Sequence, residues 1–285
     1  TVLVPTNDTK TNLVGRDGQH IRLLESLTGT DLVFDAEQPN VLIISTHDPV
    51  RRETARIAIE SLLASRKITA SNIEKQVLTA ENDVLKDLRQ TGEKTVSSLK
   101  IGFMHPDFMK LIGRLKFRTS YGQNMLSHSI EVAQMCGVMA SELGENVRLA
   151  KRAGLLHDIG KSIDHEIEGT HVEIGTALAT AYGEDPLVIN AIAAHHGDVE
   201  AISPIATLVA AADSVSGSRP GARSESVEDY INRLHSLEKI ANDHNGVQDS
   251  YAIQAGREIR IVVQPKVLDD DASAKLTNDV KDQIE

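Results

Sequence analysis

A histidine and an aspartate stand side by side where an apolar helical run ends, in Leu155-Leu156-His157-Asp158-Ile159-Gly160-Lys161. The pair makes a poor piece of hydrophobic core, because both side chains need polar partners once they are buried. An imidazole next to a carboxylate is instead a good beginning of a metal site, provided that further ligands arrive from elsewhere in the chain. A fold that buries this helix end must therefore bring other polar residues to it.

Other candidate ligands follow in the same part of the chain. Six of the eleven histidines lie between residues 128 and 196, each on or beside a predicted helix in an Ala-rich, aliphatic segment. Singly, His128, His171 or Asp213 could be a hydrogen-bonded core residue, but together they offer more ligands than a core requires. Nitrogen and carboxylate ligands without a usable thiolate predict a divalent metal, Mn or Mg first and Fe or Zn next, as one or two ions. The candidate ligands are His128, His157, Asp158, His171, His195, His196 and Asp213.

Composition narrows the function classes. With 285 residues and a net charge of −11, the whole surface does not attract nucleic acid, so any polyanion site must be local. The single Cys136 excludes an internal disulfide and is interpreted as a packed core thiol in a reducing compartment. Neither a run of 18 apolar residues nor a signal peptide is found. Because the chain starts without Met, we expect a fragment of a longer protein.

The N-terminal residues 1–66 are predicted to run strand, helix, helix, strand, strand, helix, with Gly15-Arg16-Asp17-Gly18 between the first two helices. A GxxG turn alone is common, but in this element order it resembles a type I KH domain, whose GxxG loop holds the backbone of single-stranded nucleic acid. The two glycines let the loop approach phosphates, and Arg16 adds positive charge that Asp17 reduces. The resemblance implies RNA binding at Gly15, Arg16, Asp17 and Gly18.

Residues 67–120 are predicted to be a helical connector, solvated by default and interrupted at Thr91-Gly92. Near its end, Arg114, Lys116 and Arg118 form the clearest basic segment of the chain. Two interpretations of this segment stay open: it guides RNA towards a site, or it is an ordinary solvated surface.

The histidine-rich helices carry a second resemblance. His128, His157-Asp158 and Asp213 are similar to the H…HD…D pattern of HD-domain metal-dependent phosphohydrolases. In that family these four residues bind a first metal, and the aspartate of the pair can bridge to a second. The resemblance implies a mostly helical HD domain here.

Three more histidines and a lysine extend the second resemblance. His171, His195 and His196 resemble the additional histidines of HD proteins with two or more metals, and Lys161 resembles a lysine that meets a substrate phosphate. For Lys161 an equally good interpretation is a cation placed at a helix C-terminus, where the helix dipole favours it.

A KH-like unit in front of an HD domain is similar to the ribonuclease Y family of bacterial endoribonucleases. The segments that carry the similarity are residues 113–124, 212–223 and 254–258. The resemblance implies hydrolysis of single-stranded RNA in mRNA decay and processing. It assigns catalytic roles to Asp158 and Lys161 and RNA contacts to Arg114, Lys116, Arg118, Arg219 and Arg223.

The same resemblance implies partners and a location. It predicts a homo-oligomer, expected to be a dimer, together with other RNA-decay proteins and no DNA substrate. It also predicts attachment to the cytoplasmic face of the cell membrane through an anchor outside this fragment, which itself is expected to be soluble.

The predicted fold class is α+β. A small KH-like α/β sandwich (βααββα) at 1–66 is followed by the connector at 67–120, a mostly α-helical HD domain at 121–245 and a truncated strand and helix region at 246–285. In the last region, 257–264 is predicted as a strand without an evident neighbour.

Two other functions stay open. An HD phosphodiesterase acting on cyclic or small nucleotides has no use for a KH-like unit, and the chain carries Ser162-Ile163-Asp164 after Lys161 in place of a Gly-Tyr-Pro signature. A non-enzymatic RNA-binding scaffold is the second alternative, although every candidate metal ligand is present.

Overall fold

The computed structural model describes residues 1–65, 67–120, 122–218, 227–253 and 258–284. The chain divides into two compact units, Thr1–Arg223 and Ser224–Glu285. Helices dominate both units. Among the described residues the first unit also contains two small antiparallel sheets and the second unit one, which agrees with the predicted α+β class.

The N-terminal part of the first unit is an antiparallel sheet covered by helices. Its sheet has the order β1-β3-β2. Alternation along β3 turns Leu42 and Ile44 into a core in which Leu24 and Ile59 are fully buried. The elements are β1 (Val2–Leu3), α1 (Asn7–Val14), α2 (Gln19–Thr28), β2 (Asp31–Phe34), β3 (Val41–Ser45) and α3 (Pro49–Ala64).

A single long helix, α4 (Ala70–Leu99), follows and corrects two expectations. It is not a solvated connector, because Ile73 and Val77 pack in the N-terminal core whereas Val96 and Leu99 pack in the core of the helical part. The helix therefore contributes to both hydrophobic cores of the first unit.

The predicted break in α4 at Thr91-Gly92 is also wrong. Gly92 lies inside the helix at the point where α5 (Pro106–Arg114) crosses it. A Cβ atom on Gly92 would lie 1.9 Å from the Met109 carbonyl oxygen, and one on Gly113 would lie 2.0 Å from that of Leu88. The two glycines permit a close crossing, so glycine marks helix packing here and not a turn.

Five further helices complete the helical part of the first unit, after the short strands β4 (Thr119–Ser120) and β5 (Gln123–Asn124). Leu155 and Leu156 are fully buried, so the apolar run noted in the sequence carries the adjacent histidine and aspartate into the core. The helices are α6 (Met125–Leu143), α7 (Val147–Leu156), α8 (His171–Ala181), α9 (Pro186–Ala194) and α10 (Pro204–Ser218).

The second unit corrects the expectation of an unpaired strand. Its elements are α11 (Val227–Asn242), β6 (Val247–Ile253), β7 (Glu258–Val263) and α12 (Asp270–Ile284). β7 pairs antiparallel with β6, from Val247 opposite Val263 to Ile253 opposite Glu258. β6 escapes sequence-based prediction because Gln248, Asp249 and Ser250 interrupt its apolar pattern.

No helix in the part of the chain that the structure describes is both long and apolar enough to cross a membrane.

Candidate functional site

The adjacent histidine and aspartate lie where α7 gives way to a short 3₁₀ turn. His157 is the C-cap of α7, and Asp158 precedes the turn Ile159–Ser162. Gly160 in that turn contacts the start of α8, since a Cβ atom on it would lie 1.9 Å from the His171 carbonyl oxygen. The glycine that follows the pair thus lets α8 bring His171 close to Asp158.

Four of the predicted ligands form the first half of a buried cluster. His128 Nε2 lies 3.1 Å from Asp213 Oδ1 and 3.7 Å from Asp158 Oδ2. His157 Nε2 lies 3.3 Å from Asp158 Oδ2 and 3.8 Å from Asp213 Oδ1. All four residues are buried, so two imidazoles and two carboxylates share a space from which water is largely excluded.

The remaining three predicted ligands lie on the other side of Asp158. Its Oδ1 atom is 3.4 Å from His171 Nε2 and 3.8 Å from His195 Nε2, and His171 Nε2 is 3.1 Å from His196 Nε2. Because Oδ2 faces the first half and Oδ1 faces the second, Asp158 lies between the two. The structure therefore brings all seven predicted ligands together, in overlapping groups whose ligand atoms lie within 4.8 Å of one another.

The imidazole rings are oriented by hydrogen bonds on their Nδ1 atoms. His157 Nδ1 donates to the Gly154 carbonyl at 2.8 Å, and His195 Nδ1 donates to the Ile192 carbonyl at 2.7 Å. A carbonyl oxygen only accepts, so each Nδ1 carries the hydrogen, and in its neutral form each ring has a lone pair on Nε2. Within the described residues, these two Nε2 atoms and Asp158 Oδ1 are buried without a hydrogen-bond partner.

These buried polar atoms are what a metal ion would satisfy. A buried polar atom without a partner costs free energy, and here three of them converge together with further ligands. Neutral imidazoles with a free Nε2 and ionised carboxylates are suitable ligands for divalent transition metals. The residues therefore could hold a divalent metal.

The pKa values of the histidines differ across the cluster. Burial lowers the pKa of His195 to about 3 and also lowers that of His171, so both rings are neutral at pH 7. Burial also acts against the charged form of His157, but the negative charges of Asp158 and Asp213 outweigh it and raise the pKa of His157. The half with His171 and His195 is thus ready to act as a neutral ligand set.

Both carboxylates stay ionised despite their burial. Desolvation alone would raise the pKa of Asp158, but His157 and Lys161, whose Nζ lies 2.7 Å from Asp158 Oδ2, hold that pKa well below its usual range. Desolvation likewise opposes ionisation of Asp213, yet the hydrogen bond from His128 and the charge of His157 lower its pKa to about 2. Two negative charges therefore persist in a buried site.

The basic segment forms ion pairs within the protein. The Arg114 guanidinium contacts Glu166, Lys116 Nζ lies 2.6 Å from Asp87, and an Arg118 nitrogen lies 3.0 Å from Asp164. The positive charge that made the segment conspicuous in the sequence is therefore compensated by nearby carboxylates. Arg219 and Arg223, which were also predicted to contact RNA, lie outside the described residues.

A fourth group with the spacing of metal ligands consists of Asp48, His165 and Glu166. The Arg114 guanidinium contacts Glu166 Oε1 and lies 4.0 Å from Asp48 Oδ1, and both oxygens also face His165 Nε2. A cationic side chain already compensates these carboxylates, so the group is a charge network and not a second metal centre.

The GxxG loop is exposed and its shape depends on backbone conformation. Gly15 has φ 73° and ψ 176°, and Gly18 has φ 77° and ψ 14°. Between them, the side chains of Arg16 and Asp17 are 91% and 89% exposed and lie 3.8 Å apart. Arg22 donates to the Asp17 carbonyl at 2.6 Å and so closes the loop onto α2.

Two polar residues of the cluster were not predicted. His128 Nδ1 lies 2.9 Å from Ser216 Oγ, which donates to Glu131 Oε2 at 2.8 Å. Glu131 follows His128 by three residues and Ser216 follows Asp213 by three, so each lies on the same helix face as a predicted ligand. The three-residue spacing from a predicted ligand was therefore the sequence signal that could have identified Glu131 and Ser216.

Comparison with protein families identifies the helical part of the first unit. The family model described as "HD domain" matches residues 125–218, the segment that contains all seven clustered ligands. Residues 125–218 are an HD domain. The HD domain thus comprises α6 to α10, the helices that bring the ligands together.

Comparison with curated proteins confirms the resemblance to the ribonuclease Y family that the sequence predicted. The similarity extends over the whole chain, including the residues before and after the HD domain. "Ribonuclease Y 2" of Levilactobacillus brevis is 67% identical over 285 residues, which is 100% of this chain and 53% of that protein. "Ribonuclease Y" of Listeria welshimeri is 54% identical over 284 residues and is covered to 54% of its length. "Ribonuclease Y" of Geobacillus kaustophilus is 55% identical and is covered to 55%.

The chain spans about half the length of the curated relatives it matches. No solved structure matches the chain.

Proposed function

We propose that this chain is the RNA-binding and catalytic part of an endoribonuclease that hydrolyses phosphodiester bonds of single-stranded RNA. The observation that carries the proposal is the cluster in the HD domain, where seven candidate ligands converge and three of their own buried polar atoms have no hydrogen-bond partner among the described residues. The similarity to proteins named ribonuclease Y supports the nuclease activity. mRNA decay and processing is the biological role that fits this activity.

His128, His157, Asp158 and Asp213 are proposed to hold one metal ion. His171, His195 and His196, with the second oxygen of Asp158, would hold another. A divalent metal bound there supplies a water of lowered pKa and neutralises phosphate charge. Five imidazoles and two carboxylates suit Mn²⁺ better than Mg²⁺, which prefers oxygen ligands, while Fe and Zn also accept this ligand set.

Asp158 and Lys161 are the proposed catalytic residues. The proposed role of Asp158 is to orient the groups that bind between the two halves of the cluster, because each of its oxygens faces a different half. Lys161 is half-buried and paired with Asp158 at 2.7 Å. A bound metal ion would share the charge of Asp158 and so leave the Lys161 ammonium available to a substrate phosphate. Its proposed role is to bind the scissile phosphate and hold it beside the centre.

The N-terminal residues 1–66 are proposed to be a type I KH domain. The βααββα order, the sheet order β1-β3-β2 and the exposed GxxG loop support this assignment. RNA phosphates would approach Gly15 and Gly18, with Arg16 adding charge and Asp17 limiting affinity. The other proposed boundaries are a connector at 67–120, the HD domain with its flanks at 121–245 and a C-terminal region at 246–285.

Arg114, Lys116 and Arg118 are proposed to guide RNA despite their ion pairs, together with Arg219 and Arg223. A phosphate that replaced one carboxylate partner would exchange one charge-assisted contact for another. A dimer, other RNA-decay proteins as partners, the absence of a DNA substrate and a membrane anchor in the whole protein remain predictions from the resemblance.

A comparison of substrates tests the proposed function. The protein is incubated with an end-labelled 20-mer RNA, with a DNA of the same sequence and with cyclic dinucleotides, each with Mn²⁺ and with a chelator. We expect Mn²⁺-dependent cleavage within the RNA alone. Hydrolysis of only the cyclic dinucleotides would favour the phosphodiesterase, and RNA binding without any hydrolysis or bound metal would favour the scaffold.

A further inference from the structure

Two helices face each other across the first half of the cluster, each with two polar residues one turn apart. α6 carries His128 and Glu131, and α10 carries Asp213 and Ser216. Three contacts join them: His128 Nε2 to Asp213 Oδ1 at 3.1 Å, His128 Nδ1 to Ser216 Oγ at 2.9 Å, and Ser216 Oγ to Glu131 Oε2 at 2.8 Å. Ser216 is fully buried, so its hydroxyl has protein partners and not bulk water.

The direction of these hydrogen bonds follows from counting hydrogens. The Ser216 hydroxyl has one hydrogen and donates it to the Glu131 carboxylate. The same oxygen must therefore accept in its contact with His128, so His128 Nδ1 carries a hydrogen and donates it. The chain of donors fixes the ring with Nε2 directed at Asp213 and Asp158.

His128 needs a side-chain acceptor because of its place in the helix. His157 and His195 are helix C-caps, and the last carbonyl oxygens of a helix have no helical partner. Each of the two rings therefore donates from Nδ1 to the backbone carbonyl three residues before it. His128 lies in the first turn of α6, where the backbone groups without helical partners are N–H donors. A hydroxyl on a neighbouring helix supplies the acceptor that the backbone there does not.

We propose that Ser216 and Glu131 are positioning residues for the metal site: they form a hydrogen-bonded relay that holds the His128 ring with Nε2 directed at the place where a metal would bind. The inference rests on the proposed function, because it requires that the cluster bind a metal ion. Glu131 acts through Ser216, and its charge polarises the hydroxyl and so the His128 Nδ1–H bond.

Metal affinity is the readout that separates this role from a merely structural one. The dissociation constant for Mn²⁺ is measured by titration calorimetry for the wild type, for Ser216→Ala and for Ser129→Ala, along with thermal unfolding of each metal-free protein. Ser129 is the matched control, since it is a fully buried serine on α6 whose hydroxyl has no hydrogen-bond partner among the described residues. We expect Ser216→Ala to weaken Mn²⁺ binding about tenfold or more and Ser129→Ala to leave it unchanged.

A double variant tests whether Glu131 acts through Ser216. Glu131→Gln alone should weaken Mn²⁺ binding, and adding it to Ser216→Ala should cause no further loss, because the relay is already broken. Additive losses, or a Ser216→Ala protein that binds Mn²⁺ like the wild type, would overturn the relay. A wild-type protein that binds no Mn²⁺ would instead overturn the proposed metal centre itself.

Discussion

The cluster of histidines and aspartates in the HD domain and the GxxG loop are built on opposite principles. In the HD domain, seven side chains on or directly after the five helices α6 to α10 converge, five of them buried, and their charges and hydrogen bonds define the site. In the GxxG loop the two central side chains are almost fully exposed, and two glycines with positive φ define the shape. One site depends on the chemistry of its side chains and the other on the path of the backbone.

This difference predicts which substitutions impair each site. Removing one of the two buried carboxylates from the cluster leaves its buried neighbours without a partner. Removing one exposed side chain from the loop changes little, whereas adding a Cβ atom to a glycine changes the backbone that the phosphates meet. Variants at the two sites should therefore separate catalysis from RNA binding.

The largest effect is expected from Asp158→Ala. The substitution removes both oxygens that face the two halves of the cluster, so cleavage of a labelled RNA should fall at least about a thousandfold. RNA affinity, measured by fluorescence anisotropy, should stay within about twofold of the wild type, because the loop is unchanged. Asp198→Asn, at an exposed carboxylate two residues beyond His196, is the control and should cleave normally. Undiminished cleavage by Asp158→Ala would place the chemistry elsewhere.

The second effect is a pH dependence of stability that only the buried site should produce. The pKa of His195 falls from 6.5 to about 3 on folding, so below pH 6.5 the unfolded chain takes up a proton that the folded chain does not. Stability is therefore lost as the pH falls, by about 2 kcal/mol between pH 7 and pH 5 from this ring. His195→Asn keeps a donor for the Ile192 carbonyl without a titrating group, so it should flatten the profile.

Urea unfolding of the metal-free protein at pH 7 and pH 5 measures this effect. The wild type and His195→Asn should differ in their loss of unfolding free energy between the two pH values. Equal losses would mean that His195 is not held neutral by burial.

The same contrast explains what the sequence could predict. The seven clustered residues were all selected as candidate ligands from residue type and spacing, because His and Asp side chains are rarely needed at the buried ends and faces of apolar helices. Ser216 and Glu131 were missed because their hydrogen bond joins positions 85 residues apart. Tertiary packing decides which faces of α6 and α10 meet, and the sequence alone does not show it. The GxxG loop was found from its glycines, since positive φ is a local requirement.

Tertiary packing also caused the errors in the predicted fold. Glycine at position 92 predicted a break, but the close crossing of α4 and α5 requires the absence of a side chain there. The strand β6 lacks a clear apolar pattern and forms by pairing with β7. In both places a non-local contact decided the structure against the local propensity.

A smaller effect is expected at the loop from Gly15→Ala. Gly15 has φ 73° and ψ 176°, a region almost restricted to glycine, and a Cβ atom would lie 2.6 Å from the His20 ring. We expect RNA affinity to fall about tenfold, whereas Mn²⁺ affinity stays unchanged. Gly18→Asn is the comparison variant: Gly18 is in the left-handed helical region that Asn tolerates, with its nearest neighbouring atom 3.6 Å from a Cβ, so it adds a side chain beside the phosphates without backbone strain and should cause a smaller loss. An equal loss in both variants would argue against a specific role for the Gly15 conformation.

The smallest effect, and the one that tests the charge of the loop alone, is expected from Asp17→Asn. Asp17 has φ 52° and ψ 26°, which Asn also adopts readily, so the backbone should not change. The substitution removes a negative charge beside the proposed phosphate path and releases Arg16 from its exposed ion pair. RNA affinity should rise about twofold at low salt, and the gain should vanish at high salt because exposed charges are screened. A gain that persisted at high salt would mean that Asp17 shapes the loop and not only its charge, which would make the loop more like the buried centre than the structure indicates.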